Sequence, residues 1–330
     1  MKPLYSMFFA LTLLLASGSA ALLFPAISLA VTVPQAPSSS SVAPKDYFHS
    51  GAGARYLARA KMDLDIESQR DNITVIAGSG GNITVLSGPD GKLLVDAGIS
   101  PSKEKLQAAF EKLGPEPVRY VVNTHWHWDH TDGNNWLHAV GATIIAHPNT
   151  LKHLSESTYV VDWNWTMEPV PAGARPTLLV QAQKNFDFDG TRVEVANLGP
   201  GHTDGDLWVY FAEADVLALG DTFWTAGYPF IDNQDGGNID AAIHWADKAI
   251  ARTTNRTIVV PGHGPVGTRA DLIAFRDMLV GVRKNVATLK QQGRSLDEII
   301  AAKPTADFDA RWGHFVIDPT HFTRLVYAGL

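Results

Sequence analysis

Cysteine is absent from all 330 residues of this chain. Disulfides, thiolate metal ligands and a cysteine nucleophile are therefore excluded. The redox compartment stays open, because a cysteine-free protein is at home in either. A basic footprint is also absent: 27 Lys and Arg against 34 Asp and Glu leave a formal charge of −7. That balance argues against a phosphate-binding surface, and so against nucleic acid as a partner. No Gly-x-Ser-x-Gly stretch occurs, so a serine nucleophile on a sharp strand-to-helix turn gains no support. There is no internal repeat beyond one local hairpin, no His-rich flexible tract of the kind a metal-storage protein would carry, and no obvious Arg or Lys anchor for a substrate carboxylate. What remains is ordinary globular composition, 45% hydrophobic and 18% charged, long enough for one large domain or two small ones.

The N-terminus speaks to compartment. Lys2 precedes an uncharged run over residues 6–33, with residues 8–16 as its apolar core and Ser28 and Ala30 as a small-residue cleavage pattern. Residues 1–30 read as a secretory signal peptide, and the protein as periplasmic or secreted. The run is long enough for an uncleaved membrane anchor, which is the alternative and the one route to a membrane. Residues 31–55, with proline-flanked Ser38 to Ser41, read as a flexible linker and N-terminal extension. A catalytic domain is expected over residues 56–330.

Short apolar runs then alternate with amphipathic ones. Residues 72–76 and 82–86 predict a hairpin about the Gly-rich 77–81, and 93–98 a third strand. Leu106, Ala109, Phe110 and Leu113 step at helical spacing over 103–113, ended by Gly114-Pro115. Strands follow at 118–122, 142–146, 186–188, 192–198, 207–211, 216–219 and 257–260. Residues 158–176 read as a long loop. Helices are expected over 239–250 and 272–289, and Ser295 to Glu298 starts a short final helix with a capping box. Mixed strands flanked by helices give an α/β or α+β layered domain.

The chemistry gathers at residues 123–130, Asn-Thr-His-Trp-His-Trp-Asp-His. Histidine is scarce, 12 in 330, yet three fall within six positions here. Imidazole and carboxylate are ligands that zinc and neighbouring metals prefer. The spacing of His125 and His127 suits two rings entering one pocket from an irregular loop, and Asp129 and His130 could reach a second ion. Three further strands each end in a glycine turn followed by a ligand-type residue: His202 after Gly201, Asp221 after Gly220, His263 after Gly262. Glycine lets the backbone turn sharply and approach an ion closely.

The order His-x-His-x-Asp-His, Gly-His-Thr, Gly-Asp, Pro-Gly-His-Gly resembles the metallo-β-lactamase superfamily from about Asn72 to the C-terminus. The resemblance implies a four-layer αβ/βα sandwich with two metal ions at one edge. It implies that His125, His127 and His202 bind a first zinc, that Asp129, His130 and His263 bind a second, and that Asp221 bridges them. Two zincs about 3.5–4 Å apart can share a hydroxide of pKa about 7, which would attack an ester, thioester, lactone or related carbonyl of a small-molecule substrate, with Asp129 also orienting the nucleophile. β-Lactam hydrolysis is one alternative, set back by the bridging carboxylate. An iron-dependent redox member of the fold is another, and iron or manganese are alternative metals. Asp96 and Thr203 are candidates to orient ligands, Trp126 and Trp128 to line the mouth, and Phe223, Trp224, Tyr228 and Phe230 to wall the substrate. His138, His147, His153, His244, His314 and His321 lack motif context and are expected to be structural.

Overall fold

Side-chain alternation along the strands builds two sheets whose central strands are buried on both faces, while the edge strands Asp65–Ser68 and Gln183–Phe188 are largely exposed. The computed structural model describes Ala54, residues 57–58, 60–61 and 63–330; the expected signal peptide and, but for Ala54, the expected linker lie outside the described residues. In the first sheet are β1 (Asp65–Ser68), β2 (Ile73–Ala77), β3 (Ile83–Gly88), β4 (Gly91–Val95), β5 (Val118–Val122) and β6 (Thr143–Ala146). A separate hairpin, β7 (Thr158–Val160) and β8 (Trp165–Met167), precedes β9 (Leu178–Leu179), which completes the first sheet beside β6. The second sheet holds β10 (Gln183–Phe188), β11 (Thr191–Ala196), β12 (Trp208–Phe211), β13 (Val216–Ala218), β14 (Ile258–Val260) and β15 (Gly267–Thr268), paired in that order.

The period of two decides what each face meets. Ile73, Val75, Leu93, Val95, Val122 and Ile145 point inward against Val193, Val195, Val209, Phe211 and Val216 of the other sheet. Their neighbours Ile76, Leu94, Val121 and Ile144 point outward, onto α1 (Lys103–Lys112), where Leu106, Ala109 and Phe110 are buried. The short α2 (Trp128–Thr131) carries part of the metal loop, and α3 (Asn134–Ala139) adds Trp136 and Leu137 to the outer layer. α4 (Pro148–Ser155) follows β6. Behind the second sheet, Trp208, Tyr210, Leu217 and Val259 meet α5 (Ile239–Arg252) and α6 (Arg269–Gln291). The layers therefore run helix, sheet, sheet, helix, as the resemblance implied.

β4, β5 and β6 pair in parallel, as do β13 and β14. Parallel pairing delivers the carboxyl ends of those strands to a common edge, where loops can converge. Backbone bonds then lace the loops together: Leu207 N to Thr124 O at 2.7 Å, Asn82 N to Gly262 O at 2.8 Å, and Asp232 N to His202 O at 3.0 Å.

Two local expectations needed correction. Residues 158–176 hold the β7–β8 hairpin, turned at Asn164 with φ +47°, rather than one long loop. α7 (Leu296–Ala301) has the expected Ser295–Glu298 capping box but is not the last helix. α8 (Ala306–Trp312) and α9 (Pro319–Ala328) follow, α9 starting on an Asp318 cap with Pro319 in its first turn. Among the described residues, no helix is long and apolar enough to cross a membrane.

Candidate metal centre

The seven sequence-predicted ligands come together, all buried, at the common strand edge. Ligand-type atoms of His125, His127, His202 and Asp221 lie within 4.8 Å of one another, and those of Asp129, His130 and His263 form a second group of the same compactness. Asp221 stands between the groups. Its Oδ2 is 3.9 Å from His125 Nε2 and 3.6 Å from His202 Nε2 on one side, and 3.4 Å from His263 Nε2 on the other. Asp129 Oδ2 lies 3.4 Å from His263 Nε2 and 3.8 Å from His130 Nε2.

What holds each ring is visible on its far side. His127 Nε2–H donates to Asp232 Oδ2 at 2.9 Å, and His202 Nδ1–H to the Phe230 carbonyl at 2.8 Å. His130 Nδ1–H donates to Asp96 Oδ2 at 2.8 Å. The Thr124 hydroxyl donates to Asp96 Oδ2 at 2.8 Å and so accepts from His125 Nδ1–H at 3.0 Å. Each outward N–H fixes the tautomer, leaving the lone pair of the opposite nitrogen aimed at the centre. Asp96 anchors two of the four rings from a left-handed φ of +67°, a region that Asp enters more readily than most residues.

The inward atoms test whether metal ions fit. His125 Nε2 is buried without a hydrogen-bond partner. Asp221 Oδ1 lies 3.1 Å from His130 Nε2 but off hydrogen-bonding geometry, and is orphaned too. His127 Nδ1 and His202 Nε2, two acceptors in these tautomers, face each other at 2.9 Å. Buried orphans and opposed lone pairs are costly alone, and a cation between them satisfies all. The residues fit metal ions.

Electrostatics agree. Burial, reinforced by the neighbouring His130, holds His125 well below the ordinary imidazole range, and burial brings His202 down to about 4. Both are neutral at pH 7, as ligation requires. Burial also opposes charge on His127 and His130, but the carboxylates facing them outweigh it: Asp232 chiefly for His127, and Asp221, Asp129 and Asp96 for His130, so both are raised. Burial would raise Asp221, yet His263 and His130 hold it well below the usual carboxylate range. Four carboxylates thus converge on five rings and ask for positive charge.

Close backbone approach explains the glycines. A Cβ on Gly262 would strike Asp221 Oδ1, and one on Gly220, at φ +52°, would strike the Thr124 side chain.

A cavity of about 750 Å³ opens over the cluster, with His127, Asp129, Asp221 and His263 in its floor. Trp128, Trp224 and Phe230 line it. Phe223 and Tyr228 do not, contrary to the sequence expectation. Phe223 is fully buried edge-on against Phe275 at 5.3 Å, and Tyr228 stacks on Phe322 at 4.5 Å with its hydroxyl donating to Asp309 Oδ1. The segment after Asp221 is irregular rather than a strand, and these two side chains turn from the cavity onto α6 and α9. Trp126 is likewise core, stacked on His153 at 5.0 Å. Thr203 donates to Asp206 Oδ1 rather than to a ring. The six histidines without motif context stay outside both groups; His147 caps α4 and His153 pairs with Asp204. Asp232 and Thr124 were not foreseen. Thr124 is adjacent to His125 and could have been, whereas Asp232 follows no strand-end glycine and carries no local signal.

A sequence profile of the metallo-beta-lactamase superfamily matches residues 76–263, more than half of the chain. A metallo-beta-lactamase type 2 of Bacillus cereus is 30% identical over 174 residues, 51% of this chain and 60% of that protein. A hydroxyacylglutathione hydrolase of Polaromonas sp. is 26% identical over 167 residues, 50% of this chain and 56% of that protein. The matched stretch therefore spans little more than half the length of these relatives. The solved structure of the stereoselective inverting sec-alkylsulfatase Pisa1 from Pseudomonas sp. superposes with a TM-score of 0.63 at 16% identity, covering 82% of this chain and 51% of that one. At that identity the likeness shows the fold alone.

Proposed function

Because the chain belongs to the metallo-β-lactamase superfamily, we propose that it is a metal-dependent hydrolase that uses two zinc ions to cleave an ester, thioester, lactone or related carbonyl bond. The observation that carries this is Asp221, whose Oδ2 sits within 3.6 Å of His202 Nε2 and 3.4 Å of His263 Nε2, one from each ligand group. His125, His127 and His202 would hold one ion and Asp129, His130 and His263 the other, with Asp221 between the two groups. Ions bound there supply a lowered pKa for water and charge stabilisation for a developing oxyanion.

The chain's own groups do the rest. Asp232, Asp96, Thr124 and the Phe230 carbonyl keep the rings from turning as charge shifts during the reaction. Asp129, in the cavity floor, is placed to take the proton of the attacking water on its carboxylate and pass it to the leaving group. The aromatic walls exclude bulk water. The apolar run over residues 6–33 supports a periplasmic or secreted location.

The bridging carboxylate favours the thioester and lactone side over a dedicated β-lactamase, although the Bacillus cereus relative keeps β-lactams in the test. The zinc-loaded protein is assayed on a hydroxyacyl thioester and a chromogenic β-lactam, with His127→Ala as blank. Turnover of the thioester that vanishes with His127 is expected. Efficient β-lactam turnover, with kcat/KM above about 10⁴ M⁻¹s⁻¹, would replace the proposed substrate; activity surviving in His127→Ala would overturn the mechanism.

A further inference from the structure

The walls of the cavity say more about the substrate than the metal cluster does. Trp128, Trp163, Trp165, Trp224, Phe230 and Phe315 give it six aromatic faces. Trp163 and Trp165 come from the β7–β8 hairpin, which two contacts fasten in place: Gln234 Nε2 donates to the Tyr159 carbonyl at 2.6 Å, and His321 Nε2 meets Asp162 Oδ1 at 2.8 Å. Trp163 is only half-buried and packs on Phe230 at 5.3 Å, so its indole forms a standing wall rather than core. At the mouth stand three exposed carboxylates, Asp63, Asp65 and Glu67. None of the described residues lining the cavity is Lys or Arg.

From this we infer that the preferred substrate is uncharged and carries one large apolar group, alkyl or aromatic, seated on the aromatic walls beside the reacting carbonyl. The inference rests on the hydrolase reading and narrows it. An apolar pocket of this size gains binding from each buried methylene. A negative charge on the same group loses twice: it is stripped of water against indole faces, and it approaches a mouth of its own sign. Substrates built around carboxylates are therefore disfavoured here.

The test is a pair of homologous series on the zinc-loaded protein: 4-nitrophenyl esters from acetate to octanoate, and acetate esters from ethyl to octyl. In at least one series kcat/KM rises about fourfold per methylene. The 4-nitrophenyl monoester of suberic acid, as long as the octanoate but ending in a carboxylate, reacts at least about tenfold slower than it. Trp163→Ala shrinks the octanoyl-to-acetyl ratio. Quenching of tryptophan fluorescence in the metal-free protein by octanamide, but not by acetamide, reads the same walls without turnover. Flat profiles in both series, or a suberate monoester as good as the octanoate, overturn the inference and leave the hydrolase reading standing. No ester turnover with octanamide still quenching overturns the hydrolase reading and leaves the apolar site; neither turnover nor quenching overturns both.

Discussion

Asp232 shows how much of a metal centre is decided by residues that touch no ion. Its carboxylate accepts from His127 Nε2 at 2.9 Å and is buried beside the cluster. It therefore sets which His127 nitrogen keeps its lone pair, and adds negative charge behind the ring. Partners of this kind are worth about 10–100-fold in metal affinity or activity when removed. Asp232→Ala is accordingly expected to weaken zinc binding by about that factor, measured by competition with a chromogenic chelator, while Asp232→Asn, which keeps an acceptor oxygen, loses less. Equal affinities for wild type and alanine variant would show that the Asp232 bond does not orient the ring. The ligands themselves could be read from sequence because four crowd into the loop after β5 and the other three each follow an apolar strand at a glycine turn. Asp232 could not, since it reaches His127 across 105 positions of chain through a loop with no periodicity.

At the scale of elements, what was legible was apolar patterning. β2, β4 and β5 stand out as short apolar runs because both of their faces are covered, one by the other sheet and one by the outer helices, and α6 declares itself by apolar steps of three and four. Its start was less visible. Thr268 accepts from Asp271 N while the Asp271 carboxylate accepts from Thr268 N at 3.1 Å, a capping box on a 23-residue helix. Loss of such a cap costs about 1 kcal/mol. Thr268→Ala should therefore lower the free energy of urea unfolding by about 1 kcal/mol and leave kcat/KM unaltered, because the cap lies away from the cavity lining. A drop in kcat/KM without loss of stability would mean that α6 positions the site and does not merely brace it. The β7–β8 hairpin escaped prediction for the opposite reason. Its strands are three residues each, too short for a period to register among tryptophans and prolines. It is nonetheless the element that supplies two of the cavity's aromatic walls.

At the scale of the molecule, the centre is a seam. His125, His127, Asp129 and His130 follow β5 of the first sheet, whereas His202, Asp221 and His263 follow β11, β13 and β14 of the second. Ions bound at this seam would link the two halves in the folded state and would have no such site in the unfolded chain. Binding to the native state alone stabilises it by about 2.7 kcal/mol when free ligand is at a hundredfold excess over Kd. For a domain of this size each kcal/mol moves the midpoint by about 2–4 °C. Stripping the metal with a chelator should therefore lower Tm by about 5–10 °C, and added zinc should restore it. His202→Ala, which removes one ligand from the second half, should lower Tm and blunt the response to zinc. If the midpoint stays put on chelation while metal analysis confirms release, the two sheets are held by their shared apolar face alone. The ions would then serve chemistry without bracing the fold.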